Sequence, residues 1–155
     1  MTFIEPINQI RLFGLEKYFS EMIYLHDNYR LPSKILFSGQ KGLGKSTLSY
    51  HFINYVLSKD EEFCYDCNSF EINPQNHSFK TVLNKSNPNF ILIDIEADKK
   101  FIDINQIRQL INNLNMSSFN AKPRFVLIDN IEFMNINSVN AILKILEEPS
   151  DNTYF

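Results

Sequence analysis

The sequence lacks tryptophan, has only two cysteines and contains no long apolar run. No apolar stretch approaches the ~20 residues that a membrane-spanning helix requires. The first residues, 1–6, lack a basic region followed by an apolar run, so they do not resemble a secretory signal peptide. We therefore expect no membrane partner and no export.

An excess of charge of one sign is also missing. The chain has 15 Lys and Arg residues and 18 Asp and Glu residues, which give a formal net charge of -3. This balance gives no support for direct nucleic-acid binding through a bulk basic surface, although it leaves open a local patch inside an assembly. With 44% hydrophobic and 21% charged residues over 155 positions, the sequence predicts one ordinary globular domain.

Residues 39–47 carry the most informative motif of the chain. They read Gly-Gln-Lys-Gly-Leu-Gly-Lys-Ser-Thr and fit G-x-x-x-x-G-K-[ST], the P-loop or Walker A motif. An apolar strand is predicted before it, at 34–38, and a helix after it, at 48–57, which is the context that the motif requires. The predicted phosphate-binding residues are Gly39, Lys41, Gly42, Leu43, Gly44, Lys45, Ser46 and Thr47.

The residue types of this loop explain the expected chemistry. Glycines allow backbone N–H groups to point into one concavity at a helix N-terminus, which favours a phosphate anion. Lys45 brings a positive charge to the β- and γ-phosphates, and the Ser46 hydroxyl suits Mg²⁺. ATP and Mg²⁺ are therefore the predicted cofactors, and the alternative is a glycine turn with a surface lysine. A nucleotide loop in a chain with two cysteines indicates the reducing cytoplasm.

Residues 1–30 are predicted to be helical after Pro6, in two pieces, because Gly14 interrupts the apolar spacing. The first piece is a lead-in through residues 11–14, and a helix follows from about Leu15 to Asp27. Most of this helix is expected to cover a sheet. The lead-in could also line a pocket for a nucleotide base, which periodicity alone does not decide.

Two continuous apolar segments, residues 90–95 and 124–129, are predicted to be strands that are covered on both faces. A helix capped by Asp103 is predicted between them, a last helix follows the second, and residues 153–155 resemble the start of another strand. This alternation predicts a three-layer α/β fold with a parallel sheet. The apolar faces of the two helices are predicted to be Ile104, Ile107, Leu110, Ile111 and Leu114, and Val139, Ile142, Leu143 and Leu146.

Asp129 ends the second of these apolar segments. An apolar strand that ends in Asp, downstream of a phosphate loop, is where a P-loop protein holds its Mg²⁺. Ser46 and Asp129 are therefore the predicted magnesium ligands, and Asp129 joins the predicted nucleotide site. The alternative is that Asp129 only caps a turn.

Residues 63–88 are predicted to be an irregular insertion. They contain the C-x-x-C pair Cys64 and Cys67, with His77 ten residues later. Structural zinc normally has four ligands, often as two such pairs, so zinc binding is not expected here. A redox role is disfavoured as well, because a redox C-x-x-C usually lies where a strand meets a helix.

From Asp129 onward, the sequence closely resembles the bacterial sliding-clamp loader subunits of DNA polymerase III. The family pattern begins with Asp-Glu and continues to N-A-L-L-K-x-L-E-E-P, which residues 140–149 match as Asn-Ala-Ile-Leu-Lys-Ile-Leu-Glu-Glu-Pro. Residues 87–90 and 104–110 also resemble family segments, so the resemblance covers most of residues 12–155. The polar residues of the motif form an exposed helix face that could meet DNA or a neighbouring subunit: Asn140, Lys144, Glu147 and Glu148.

The resemblance implies an AAA+ P-loop NTPase domain inside a hetero-pentamer that opens a sliding clamp and places it on primed DNA. The implied partners are the other clamp-loader subunits, the clamp, and DNA reached through the assembly. The family has a motor type, tau/gamma, which hydrolyses ATP, and a delta-prime type, which acts more as a rigid stator.

Two departures from the motor pattern favour the delta-prime type. Asn130 stands where the motor has its catalytic Glu, and an amide can orient a water but cannot accept its proton near neutrality. Glu132 is expected to point elsewhere in an extended connector. The single C-x-x-C pair falls short of the four-cysteine zinc module of the family, whose place residues 63–88 take.

The intact loop therefore predicts a subunit that binds Mg-ATP and hydrolyses it weakly, and no residue is assigned as catalytic. The alternative is a motor-type enzyme that uses another acid in place of Asn130. A small-molecule kinase is disfavoured, because no substrate lid and no catalytic basic residues follow the second predicted strand.

The family continues past the position of Phe155 into a further strand, a Ser-Arg-Cys run, a lid and a collar. We therefore expect residues 1–155 to be an incomplete AAA+ domain, as a fragment or a truncated reading frame. A sheet without its later strands exposes an apolar edge, so marginal stability or self-association is expected.

Overall fold

The computed structural model describes residues 4–116 and 120–155. The start of the chain, on which the expectation about a signal peptide partly rests, lies outside these residues. The chain forms two compact units, one from Met1–Pro32 with Leu36–Asn87, the other from Ser33–Ile35 with Pro88–Phe155. The three-layer arrangement and the single domain remain predictions.

The first unit is helical. A short 3-10 helix, Pro6–Asn8, is followed by α1 (Glu16–Asp27), α2 (Lys45–Leu57) and α3 (His77–Leu83). Helix α2 contacts the 3-10 helix, α1 and α3, and nine of its 13 residues are buried. The helices predicted from about Leu15 to Asp27 and at 48–57 are thus confirmed, and α2 is the central element of this unit. The prediction of helical structure in the lead-in at 11–14 is wrong, because these residues form no helix.

The segment 63–88 is more ordered than the sequence predicted, because it contains α3. The Asn76 side chain caps this helix by accepting a hydrogen bond from the Phe79 amide, and the Glu61 carboxylate accepts from the Ser78 amide at 3.1 Å. A seven-residue helix is too short to show a clear apolar period. It forms here because tertiary contacts and capping stabilise it.

The second unit contains a parallel sheet of β1 (Phe90–Ile93), β2 (Arg124–Ile128) and β3 (Thr153–Tyr154), in that order. Helices α4 (Ile104–Asn115) and α5 (Ile136–Glu147) pack against each other, and α4 packs on β1. The predicted α/β class and parallel sheet are confirmed. The buried core of the second unit consists of Ile93, Ile102, Ile107, Leu110, Leu114, Val126 and Ile142.

The prediction of a strand at 34–38 is wrong. Pairing with Phe155 occurs at residues 33–35 instead, since the Ile35 amide donates to Phe155 O and the Phe155 amide donates to Ser33 O, both at 2.8 Å. No regular strand is present at 34–38, and Leu36 is 76% exposed. A strand is defined by its pairing. The hydrogen bonds with Phe155 involve Ser33 and Ile35, so the paired segment ends before Leu36.

Helix α4 follows its predicted pattern, and α5 follows its own except at Leu143. Asp103 caps α4 in a capping box with Gln106, as the sequence predicted. On α5, Leu143 was expected to pack inward but is 48% exposed. The packed face includes Ser138 instead, because its hydroxyl donates a hydrogen bond to Ile102 O at 3.0 Å and can be buried.

The N-terminal cap of α5 gives a direct test of how this helix is held. The Asn135 side chain accepts a hydrogen bond from the Ser138 amide at 2.9 Å. We expect Asn135→Ala to lower the free energy of unfolding by about 1 kcal/mol, because one helix N–H group loses its acceptor. The matched control is Asn137→Ala, an exposed position inside the helix. Equal unfolding free energies for the two variants in urea would show that the cap does not matter.

Candidate functional site

The phosphate loop occupies residues 39–47 of the first unit, and its glycines have the backbone that the motif requires. Gly42 and Gly44 have φ of 87° and 82°, in the left-handed region that favours glycine. Gly44 also precedes the first turn of α2, and a Cβ atom there would lie 3.1 Å from Leu15 Cδ1. Both the backbone and the close contact therefore select glycine at position 44.

Lys45 is the first residue of α2, and its side chain bends back over the loop. Its Nζ atom donates to Gly39 O and to Gln40 O, each at 2.9 Å. The ammonium group therefore lies beside the loop backbone and can exchange a carbonyl oxygen for a phosphate oxygen. The α2 N-terminus provides further N–H donors for an anion.

The other predicted loop residues differ in exposure. Lys41, Gly42 and Leu43 are exposed, whereas Gly44 to Thr47, including Ser46, are half-buried. The tip of the loop is thus open to a ligand, and the start of α2 is supported by the protein. Oxygen and nitrogen donors of this kind fit a nucleotide phosphate group and its magnesium ion.

Helix α2 is held in place by buried polar side chains that the sequence did not identify. His51 is fully buried, with Nδ1 2.8 Å from the Tyr65 hydroxyl and Nε2 3.0 Å from Gln9 O. A carbonyl oxygen only accepts, so Nε2 carries the proton and Nδ1 accepts from Tyr65. Burial lowers the pKa of His51 to about 4. The imidazole is therefore neutral near pH 7.

Asn54 on α2 and Ser58 directly after it form, together with His51, a buried polar stripe. Asn54 and Asn76 exchange side-chain hydrogen bonds of 3.1 and 3.0 Å. Ser58 Oγ accepts from the Tyr65 amide at 3.1 Å. Positions 51, 54 and 58 lie on one helix face. Polar residues at this spacing are typical of a solvated face, so no sequence signal distinguishes this anchor from a surface.

In the second unit, Asp129 directly follows β2, as the sequence predicted. Its amide donates to Ile93 O at 2.9 Å, and its Oδ1 accepts from the Asn130 amide at 2.9 Å. The residue is half-buried. A carboxylate at the carboxyl end of a parallel strand is suited to hold Mg²⁺. The joint site of Asp129 with the phosphate loop of the first unit remains a prediction.

Asn130 has a contact that sequence reasoning missed. Its φ is 52°, a left-handed conformation that Asn adopts more readily than most residues. Its Nδ2 atom donates to Asp94 Oδ1 at 2.8 Å. Asp94 follows β1 as Asp129 follows β2, and that shared position at the end of an apolar segment was the available signal.

A family model described as DNA polymerase III, delta subunit, matches residues 15–155. The chain belongs to the DNA polymerase III delta subunit family. The subunit delta' of Buchnera aphidicola subsp. Baizongia pistaciae is 27% identical over 147 residues, which cover 91% of this chain and 42% of that protein. The subunit delta' of Yersinia pestis is 25% identical over 140 residues, which cover 88% of this chain and 38% of that protein.

A subunit of the other type is also similar. The DNA polymerase III subunit tau/gamma of Haemophilus influenzae is 30% identical over 135 residues, which cover 84% of this chain and 18% of that protein. The resemblance to clamp-loader subunits of the delta-prime type is thus confirmed by the family match. The chain spans about two fifths of the length of the delta' relatives, at 42% and 38%.

The polar residues that carried the resemblance to this family lie on the surface of α5 and at its C-terminal cap. Asn140, Lys144, Glu147 and Glu148 are all exposed. Lys34 Nζ donates to Leu146 O at 2.7 Å, so it satisfies a carbonyl in the last turn of the helix. Glu132 is exposed in a 3-10 helix, Ile131–Phe133, rather than in the extended connector that the sequence predicted.

The cysteines of this delta-family chain are free thiols at exposed positions, Cys64 and Cys67. Burial and the nearby Asp66 charge raise the pKa of the Cys67 thiol. Within residues 4–116 and 120–155, no group of three or more His, Cys, Asp or Glu side chains is arranged to hold a metal ion.

Among the described helices, none combines enough length with enough apolar character to span a bilayer.

Proposed function

We propose that this chain is a clamp-loader subunit of the delta-prime type that binds ATP through residues 39–47. Lys45 binds the β- and γ-phosphates, and Ser46 and Asp129 hold Mg²⁺. The observation that carries the proposal is the family match over residues 15–155, which includes a phosphate loop with Lys45 folded over its backbone.

The proposed role lies in DNA replication in the cytoplasm. The subunit acts in a hetero-pentamer with other clamp-loader subunits, as part of the DNA polymerase III holoenzyme. This assembly loads the sliding clamp onto primed DNA, and no membrane is involved. The names of the delta' and tau/gamma relatives, which are DNA polymerase III subunits, support this assignment.

Within that role, the subunit binds ATP and hydrolyses it only slowly. Asn130 occupies the position at which motor subunits have Glu, and its amide nitrogen is already engaged with Asp94. A carboxamide does not accept a proton near neutrality, so the usual proton acceptor is missing. A motor-type subunit is the second candidate, favoured by the tau/gamma relative at 30% identity and by the carboxylate of Asp94 beside Asn130.

We expect Asn130→Glu to increase ATP turnover at this site by about 100-fold, the lower end of the roughly 10²–10⁴ that a positioned general base typically contributes. Turnover is measured in the reconstituted assembly whose other subunits lack their phosphate-loop lysines. Asn130→Gln is the matched control, since it also adds one methylene in the left-handed conformation but supplies no carboxylate. Fast turnover by the wild-type site would favour the motor type and overturn the delta-prime assignment.

A further inference from the structure

The segment before α1 connects the middle of α2 with the phosphate loop, and all of these parts belong to the first unit. Gln9 O accepts a hydrogen bond from His51 Nε2 at 3.0 Å, and His51 lies in the middle of α2. Leu15, at the other end of the segment, lies against Gly44, the residue before the first turn of α2. Residues 9–15, which we call the strap, therefore reach the phosphate loop from a fixed point on α2.

The strap is held along its length by a short hairpin, residues 66–71. The Ile72 amide, directly after the hairpin, donates to Ile10 O at 2.8 Å, and the Leu12 amide donates to Phe70 O at 3.0 Å. The Leu12 side chain is buried. The strap can therefore leave its position only if these backbone hydrogen bonds are broken, and each unsatisfied group inside the protein is costly.

Leu15 is also fixed by the helix that follows it. It is the residue before the first turn of α1, and its carbonyl oxygen accepts from the Phe19 amide at 3.0 Å. Phe19 is fully buried. Gly14, with φ of 72°, turns the chain between the strap and α1, and its amide donates to Glu16 Oε1 at 2.9 Å. The half-buried Leu15 side chain is thus held by backbone contacts on both sides.

The residue on which Leu15 packs sets the start of α2. Gly44 has φ of 82°, and glycine adopts left-handed and right-handed backbone about equally well, so Gly44 does not fix this conformation by itself. Leu15 Cδ1 lies 3.1 Å from the position that a Cβ atom of Gly44 would occupy. The leucine methyl group therefore packs on the backbone of the residue that precedes Lys45.

We propose that Leu15 is a positioning residue of the nucleotide site, which holds Gly44 in its left-handed conformation and thereby directs Lys45 over the phosphate loop. This inference rests on the proposed nucleotide binding by residues 39–47. The side chain of Leu15 supplies no polar atom to a ligand, so it acts through Gly44. A loop that is held in its binding conformation in advance binds its ligand more tightly, because less ordering remains to be done on binding.

The test compares Leu15→Ala with wild type in the full chain, by calorimetric titration with Mg-ATP. We expect the dissociation constant to rise about tenfold, within the roughly 5–150-fold range that is typical of coupling between two positions. Leu15→Met, which nearly conserves the volume, should retain most of the affinity. Leu25→Ala is the matched control, because Leu25 is a half-buried leucine in the last turn of α1. It should lower the free energy of unfolding in urea without changing the affinity.

A double-mutant cycle with Lys45→Ala separates positioning from general support of the fold. If Leu15 acts through Lys45, its removal has less effect in a chain that already lacks the ammonium group. We expect Leu15→Ala to weaken binding less than about threefold in the Lys45→Ala background, against about tenfold in wild type, since coupled residues are not additive. An equal factor in both backgrounds would show that Leu15 does not direct Lys45.

The outcomes distinguish this inference from the proposed function. A folded Leu15→Ala variant that binds Mg-ATP as tightly as wild type, or that loses no more affinity than Leu25→Ala, overturns the role of Leu15 and leaves nucleotide binding intact. If urea unfolding shows that Leu15→Ala is not folded, Leu15→Val replaces it in both comparisons with the same expected direction. Failure of the wild-type chain to bind Mg-ATP overturns the proposed function itself, and the role of Leu15 with it.

Discussion

Lys45→Ala is expected to weaken ATP binding by about 100-fold. The lysine ammonium is the only side-chain cation that the motif directs at the β- and γ-phosphates, and removal of one partner of a hydrogen-bonded charge pair typically costs about 2–5 kcal/mol. At about 1.4 kcal/mol per tenfold, this range brackets the expected loss. The measurement is the dissociation constant of the full chain for Mg-ATP, by calorimetry.

The loop supplies its own control for this variant. Lys41 belongs to the predicted site through its backbone N–H, and its side chain is exposed at the loop tip. Lys41→Ala keeps that N–H and should change affinity by no more than about threefold, as expected of an exposed charge in water. Lys45→Arg keeps the charge but not the compact ammonium group that bonds to Gly39 O and Gln40 O. It should fall between wild type and Lys45→Ala. Equal affinities for all four proteins would exclude phosphate binding by this loop.

Acid is expected to destabilise the first unit through His51 as the pH falls below 6.5. Burial lowers the pKa of His51 to about 4 from 6.5. The unfolded chain then binds a proton that the folded chain does not, so the free energy of unfolding falls as the pH decreases from 6.5 to 4. The full loss is about 3 kcal/mol, because a pKa difference of one corresponds to about 1.4 kcal/mol. It is absent well above the pKa of the unfolded chain.

Urea unfolding between pH 7 and pH 4 measures this effect. His51→Gln keeps a donor and an acceptor but does not titrate, so its stability should change much less over this range. His77→Gln is the matched control, because His77 is an exposed histidine of the same unit. A wild-type stability that stays constant down to pH 5 would contradict the buried neutral imidazole.

A second interaction, at the exposed carboxylate of Asp27, contributes only at lower pH and is therefore separable from the effect of His51. Burial alone would raise the pKa of Asp27, but hydrogen bonds from Lys59, His26 and Tyr55 together lower it to about 2. Its contribution to stability is therefore lost between pH 3.8 and 2 as the pH falls, below the His51 range.

The sequence predicted correctly those elements whose stabilising contacts lie within one short segment of the chain. The period of α4 and its Asp103 cap are contained in one short segment, and both are confirmed. The extent of pairing at 34–38 was not predictable in this way, because it depends on Phe155, which is distant in sequence. The same holds for the burial of Ser138, which depends on the carbonyl of Ile102.

The candidate site shows the same division. The sequence placed Lys45 in a loop before a helix and Asp129 at the end of an apolar strand, because glycine spacing and strand-terminal acids are sequence features. In the structure Lys45 is the first residue of α2 and Asp129 directly follows β2. The contact of Asn130 with Asp94 depends on a left-handed backbone at position 130 and on strand pairing, neither of which composition or spacing records. Sequence alone therefore identified Asn130 as a departure but not what it binds.

The buried polar stripe of α2 has a consequence for rotation about the helix axis. Apolar contacts tolerate small rotations, whereas the hydrogen bonds of His51 and Asn54 are directional and fix the azimuth of the helix. Lys45 lies on that same rigid helix, so its azimuth over the loop is fixed as well. The segment that carries Tyr65 and Asn76 thus fixes the rotation of α2 about its axis, and through it the direction in which the Lys45 side chain leaves the helix.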